Sequence, residues 1–172
     1  FLSCLILCLT THLSASHAKP GKKIKVKAEV IENFLPSEPS LNTFGKLEYM
    51  GGLVLNSDNK DFGGISGIRL LHDNKFIAIT DKGEWLRAEI EREEGTLKNI
   101  TNARMARLRD VKGNKLKGKK QADAEGIELE ANGFIISFER NHRAERFSFN
   151  GDHLKADLFV SNMDVALTYK KL

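Results

Sequence analysis

Apolar and polar residues alternate from Ile24 to Val30, with Ile24, Val26, Ala28 and Val30 set against Lys25, Lys27 and Glu29. A period of two places one face of a strand on a core and the other in water. Shorter stretches of the same character recur at Leu53–Leu55, Ile65–Leu71, Phe76–Thr80, Trp85–Ile90, Ile127–Leu129, Phe134–Phe138 and Arg146–Phe149. Gly, Asn and Asp fall between them, so the pattern predicts an all-β chain of meandering antiparallel strands. His72-Asp73-Asn74 and Ala131-Asn132-Gly133 contain residues that tolerate left-handed backbone, and each is expected to close a tight hairpin. Asn102–Leu108 fits either a short helix or a strand. Arg109–Lys120 is polar, glycine-punctuated and basic, which predicts a loop. Between Arg104 and Lys120 eight basic residues face the single acid Asp110. That stretch is either a solvated connection or an attractor of anions.

The front of the chain has a different character. Phe1 to Leu9 is an apolar run of about signal-core length, and Ser16 and Ala18 are small residues at the −3 and −1 positions of a cleavage site. A signal peptide over residues 1–18 is expected, leaving residues 19–172 as an exported protein, periplasmic or secreted. So short a run cannot cross a bilayer, which takes about 20 residues, so no stable membrane anchor is expected after cleavage. Both cysteines, Cys4 and Cys8, lie in the removable segment, and the mature chain has nothing to staple. The 172 residues are 41% hydrophobic and 29% charged, an ordinary globular composition. A net charge of +4 is too mild for a dedicated nucleic-acid binder, so nucleic acid is not an expected partner.

The most informative feature is an internal repeat. Ser66-Gly67-Ile68-Arg69-Leu70, a hairpin and Phe76-Ile77-Ala78-Ile79-Thr80-Asp81 match Glu125-Gly126-Ile127-Glu128-Leu129, a hairpin and Phe134-Ile135-Ile136-Ser137-Phe138-Glu139 in order and kind. The copies are about 58 residues apart, somewhat longer than familiar propeller repeats. Each copy would form one four-stranded blade, with glycine in the innermost strand where neighbouring backbones crowd together.

Gly63-Gly64-Ile65-Ser66-Gly67, Thr80-Asp81-Lys82-Gly83-Glu84-Trp85, Ala124-Glu125-Gly126 and Ser137-Phe138-Glu139-Arg140 together resemble the exported β-propeller family known as phytase-like, or esterase-like activity of phytase. The resemblance spans roughly Leu47 to Phe149 and implies a propeller fold and a hydrolase; the hydrolase expectation comes from the resemblance alone. A closed ring takes about four to eight blades, and residues 19–172 hold fewer than three repeat lengths. The chain is therefore expected to be a partial β-propeller of two to three antiparallel blades with the ring not closed, an N-terminal portion that is inactive by itself.

Carboxylates occupy matching points of the repeats. Asp81 and Glu139 each follow the apolar strand, and Glu125 precedes the second glycine. With Glu125 turned toward the central channel, Asp81, Glu125 and Glu139 are candidate ligands of a hard cation, and carboxylate oxygens suit Ca²⁺. The alternative is that Asp81 and Glu139 make turn contacts or ion pairs with Lys82 and Arg140. Arg140, His142, Arg143 and Arg146 crowd one short span and are candidates for binding the phosphate of an anionic small-molecule ester; His142 otherwise is simply exposed. Gly64-Ile65-Ser66-Gly67 is one residue short of a Gly-x-Ser-x-Gly elbow and leads into a strand, which disfavours a serine nucleophile. Zinc, P-loop and CxxC signatures are missing from the sequence. Trp85, the single tryptophan, is expected to anchor packing between sheets. Two functions follow: a metal-assisted hydrolase of phosphate or other esters, or a non-catalytic periplasmic propeller that binds a partner.

Overall fold

A computed structural model describes residues 21–154; the expected signal peptide over residues 1–18 lies outside the described residues. The first elements are β1 (Lys22–Lys23), β2 (Lys27–Ile31), β3 (Thr43–Phe44), β4 (Leu47–Glu48) and β5 (Gly52–Asn56). The first repeat supplies β6 (Ile65–Leu70), β7 (Lys75–Thr80), β8 (Glu84–Glu93) and β9 (Thr96–Arg107). A short helix α1 (Gly118–Ala122) leads to the second repeat, β10 (Ala124–Glu130), β11 (Gly133–Phe138), β12 (Arg143–Ser148) and β13 (His153–Leu154). The chain is all-β, and its sheets do not close into a ring among the described residues. Each repeat is one antiparallel meander, with sheet orders β1-β9-β8-β7-β6 and β10-β11-β12-β13. Beside them lie the two-stranded sheets β2-β5 and β3-β4.

This is the partial propeller that the sequence predicts, with β6 and β10 as the innermost strands of adjacent blades. A β-carbon on Gly67 would lie 2.9 Å from Ile127 Cγ2 and 3.2 Å from the Ile127 amide nitrogen. Glycine stands there because β6 and β10 meet backbone to side chain. Between the blades lies one apolar core, built from Ile77, Ile79, Trp85, Ile127, Phe134, Ile136, Phe138 and Phe147 among others. Ile77 and Ile79 are on one face of β7. Phe76 and Ala78, on the other face, join Leu86, Ala88, Ile100 and Met105 in a second core. Leu53, Leu55, Ile24 and Val26 cover that second core. Trp85 is 1% exposed, and its Nε1 donates to the Asn150 carbonyl at 3.1 Å, which ties the second blade's last turn to the first blade.

Local differences from the expected pattern have physical causes. The alternating run Ile24–Val30 is not one strand. β1, just before the run, pairs with β9, the Ile24 amide donates to the Ala103 carbonyl of β9 at 3.0 Å, and the rear of the run pairs through β2 with β5, so the chain changes sheets while Ile24 and Val26 stay on the second core. Asn102–Leu108 is strand as far as Arg107, and β9 begins well before it, at Thr96. The basic loop ends in the one-turn helix α1, where Lys119 gains an i,i+4 ion pair with Asp123. Asp73 and Asn74 adopt the expected left-handed backbone, with φ of 58° and 56°. The second hairpin forms without it: Glu130 pairs with Gly133, and neither Ala131 nor Asn132 has positive φ. Gly133 serves close approach instead, because a β-carbon there would run into the Phe147 carbonyl oxygen of β12.

Gly133→Ala is therefore expected to cost about 1–3 kcal/mol of stability through overpacking against main chain that cannot move aside. Asn132→Ala, at an exposed position without left-handed strain, should stay within about 0.5 kcal/mol of wild type. Urea denaturation of the two variants measures the difference, and equal losses would show that the turn rather than the approach selects these residues.

Candidate functional site

Both inner strands begin with the same irregularity. In the first blade Ile65 pairs with Thr80 and Gly67 with Ile79. In the second Ala124 pairs with Phe138 and Gly126 with Ser137. Ser66 and Glu125 are thus the extra residues of matching β-bulges, which bend the strand and re-aim the bulged side chain. The bulges sit beside matching strand exits: the Asp81 amide donates to the Gly64 carbonyl at 2.8 Å, and the Glu139 amide to the Asp123 carbonyl at 3.0 Å. Gly64, Ser66 and Asp81 in one blade therefore correspond to Asp123, Glu125 and Glu139 in the other.

In the second blade all three positions carry carboxylates, and their oxygens lie within 4.8 Å of one another. Glu125 and Glu139 are exposed, whereas Asp123 is 3% exposed. A buried carboxylate is tolerable only when paired and hydrogen-bonded. Lys119 Nζ donates to Asp123 Oδ1 at 3.0 Å, and Arg140 Nε donates to Asp123 Oδ2 at 3.0 Å. Lys119 Nζ also donates to Asp81 Oδ2 at 2.9 Å, so one ammonium joins the two blades. Asp81 Oδ1 is buried with no hydrogen-bond partner among the described residues. In the first blade a side chain at Gly64 would collide with Asp81 Oδ1, which explains why Asp123 has no carboxylate counterpart there.

The sequence candidates are thus placed unevenly. Glu125 and Glu139 come together, and Asp81 joins them only through Lys119 and Asp123. The alternative ion pairs also change partners. Arg140 binds Asp123 rather than Glu139, and Lys82 Nζ donates to the Lys60 carbonyl rather than to Asp81. The arginines among the candidate anion binders each have their own protein partner, which for Arg140 is Asp123. Arg143 pairs with Glu145 at 2.7 Å, donates to the Gln121 carbonyl and covers the Phe138 ring. Arg146 pairs with Glu130 at 2.7 Å further along β12, and His142 is exposed in the turn. Asp123 and Lys119 were not legible as functional residues: Asp123 aligns with a glycine in the other repeat, and Lys119 is one of many cations in its loop. The usable signal was a carboxylate flanked by Ala122 and Ala124 just before a glycine-bearing inner strand.

Hydrogen bonding from Lys119, opposed by burial and reinforced by Arg140, holds the Asp123 carboxyl below the ordinary aspartate value. Its bonds to Asp81 and Asp123 raise Lys119 above the ordinary lysine value. Residues 60–164, which include both repeats and every carboxylate above, match the model of a family described as phytase-like, esterase-like activity of phytase. Comparison with curated proteins and with solved structures gives no match.

The two shifts fix how this ion-paired centre responds to pH. A depressed carboxyl stabilises the fold above its ordinary value, and that contribution is lost as pH falls through the lowered folded value. A raised lysine stabilises the fold below its ordinary value and loses that contribution as pH rises through the raised folded value. Lys119→Met is expected to lower the thermal midpoint at neutral pH. The gap from wild type should close in acid, where the carboxyls protonate. A gap that stays constant from neutral to strongly acid pH would mean that only the lysine stem's packing matters.

Proposed function

The chain belongs to the phytase-like family, and from that premise we propose that it is an exported propeller hydrolase acting on phosphate or other esters, with metal assistance at the carboxylate centre at the start of its second blade. The single observation that carries this reading is the convergence of Asp123, Glu125 and Glu139 to within 4.8 Å. Calcium takes oxygen ligands at about 2.3–2.6 Å, so ligands across the ion stand about 5 Å apart, and this donor set fits. Asp81 Oδ1, buried without a hydrogen-bond partner among the described residues, offers one more carboxylate oxygen on the neighbouring blade. Bound at these residues, a cation would polarise an ester oxygen and lower the pKa of a water beside it.

The chain's own groups have separable tasks in this reading. The bulge presents Glu125 and the strand exit presents Glu139, both open to solvent and both able to offer oxygens. Asp123 is fixed in its ionised form by Lys119 and Arg140. Those two cations, with side chains 55% and 60% exposed, keep N–H groups accessible to the negative part of an ester. Export rests on the signal-like residues 1–18.

A second reading has its own observation. Both oxygens of Asp123 already receive hydrogen bonds from cations, as a structural clamp between blades requires, and this favours the non-catalytic binding propeller. Calorimetric titration with Ca²⁺ is expected to give saturable binding that weakens at least about tenfold in Glu125→Gln/Glu139→Gln. Because two to three blades are expected to be inactive by themselves, a screen of phosphate and carboxylate esters on a version with a closed ring of blades should then show calcium-dependent turnover that the same double variant lacks. Binding without turnover on any ester would favour the binding propeller, and no calcium binding would remove the metal-assisted reading.

A further inference from the structure

The turn between β7 and β8 faces two ways. Its first carboxylate, Asp81, goes to Lys119 and the centre described above. Its second, Glu84, goes to Arg107 in a separate cavity of about 810 Å³, walled by β1, the 57–61 loop and the facing ends of β8 and β9. Seven basic side chains line this cavity against three carboxylates. The excess equals the net charge of +4 carried by the whole chain.

Two of those cations are built in: Arg109 donates to the Gly113 carbonyl at 2.7 Å and pairs with Asp152 at 3.7 Å, while Arg107 is the more deeply seated. Arg107 has a side chain 23% exposed; its Nε donates to Glu84 Oε1 at 2.6 Å and its NH1 to the Leu116 carbonyl at 3.2 Å. Glu84 itself is 7% exposed at its side chain, and burial raises its carboxyl above the ordinary glutamate value against the pull of Arg107. A buried carboxylate that orients a guanidinium leaves the planar donor pre-set for an oxyanion. Lys22, Lys25, Lys60 and Lys115 stand around it, and none makes an ion pair among the described residues, although Lys75, Lys98 and Lys119 elsewhere do. Seven cations against Asp58, Asp61 and Glu84 leave an excess of positive charge whose members repel, and an anion in the cavity relieves that repulsion. The rim is ordered: Ser57 Oγ donates to the Lys25 carbonyl at 2.6 Å, the Asp61 amide donates to Asn59 Oδ1 at 3.0 Å, and Lys82 anchors the Lys60 carbonyl.

We propose that this cavity is a binding site for a small, multiply charged oxyanion of diphosphate type, with Arg107 as its fixed donor and Lys22, Lys25, Lys60 and Lys115 as the surrounding cations. The site is separate from the carboxylate centre and does not depend on a metal there.

Isothermal titration with inorganic pyrophosphate, in chelator-containing buffer at fixed ionic strength, tests the site. One equivalent should bind saturably, and more tightly than inorganic phosphate. Lys25→Ala/Lys60→Ala, which removes two exposed side chains without touching the Glu84–Arg107 pair, should weaken binding roughly tenfold. Lys25→Arg/Lys60→Arg should retain it, and Glu125→Gln/Glu139→Gln should bind pyrophosphate as wild type does. Absence of saturable binding, or equal affinity in the alanine double variant, would overturn the proposal. Loss in Glu125→Gln/Glu139→Gln alone would also overturn it, by moving the anion to the other centre. A calcium result of either sign leaves this measurement unaffected, so the two readings fail separately.

Discussion

The inner strands of the two blades can lie against each other because Gly67 has no side chain. Its α-carbon faces Ile127 at a distance where even a methyl group would press on main chain, and close-packed interiors do not absorb such an intrusion without shifting the whole strand. That apposition sets the rest. It brings Ile77 and Ile79 of one blade onto Phe134, Ile136 and Phe138 of the other. It also carries Arg69 across the seam to Glu128, with Nε and NH2 both donating to Oε2. Above all it brings the end of β7 beside α1 and the start of β10, so that Lys119 reaches carboxylates from both repeats.

The repeats share a scaffold and differ in charge. Each has a bulge at the start of its inner strand, a main-chain bond from the exit of its second strand back to the residue two before the bulged one, and an acid at that exit. The second blade adds Asp123 and Glu125, where the first has Gly64 and Ser66. A duplicated fold thus offers two equivalent ends, of which one carries a concentrated negative centre with two cations holding its buried member. Duplication of the backbone alone leaves the chemistry open, because function resides in the side chains placed on it.

Much of this was legible in the chain. The positions of β5 to β8 and of β10 to β12 follow from alternation, and the blades follow from the repeat; β9 does not, because its front carries no expected strand and Asn102–Leu108 fits helix as well as strand. Glycine at the inner seam follows from crowding, and the hairpin at Asp73-Asn74 from residues that tolerate left-handed backbone. Glu125 and Glu139 were found through their repeat positions. What stayed hidden depended on contacts distant in sequence. Asp123 lacks an acidic counterpart in the other repeat, and Lys119 becomes distinctive only when α1 folds and sets its ammonium between Asp81 and Asp123. Glu84 and Arg107 stand at opposite ends of a long hairpin and meet because β8 and β9 pair Glu84 with Arg107. The split of Ile24–Val30 between two sheets was hidden for a related reason: alternation specifies which side chains are buried, not which neighbouring strand takes the hydrogen bonds.

The most direct test of the carboxylate centre is paramagnetic. Manganese(II) prefers the same oxygen donors as calcium and broadens the resonances of amides close to it. Titrated at substoichiometric amounts into the isotopically labelled chain, it should first erase the amide signals of Asp123 to Gly126 and of Glu139 and Arg140, while signals around Asp58 and Asp61 persist. Uniform broadening across the spectrum, or first loss around Asp58 and Asp61, would contradict the assignment of a cation centre to the junction of the two blades.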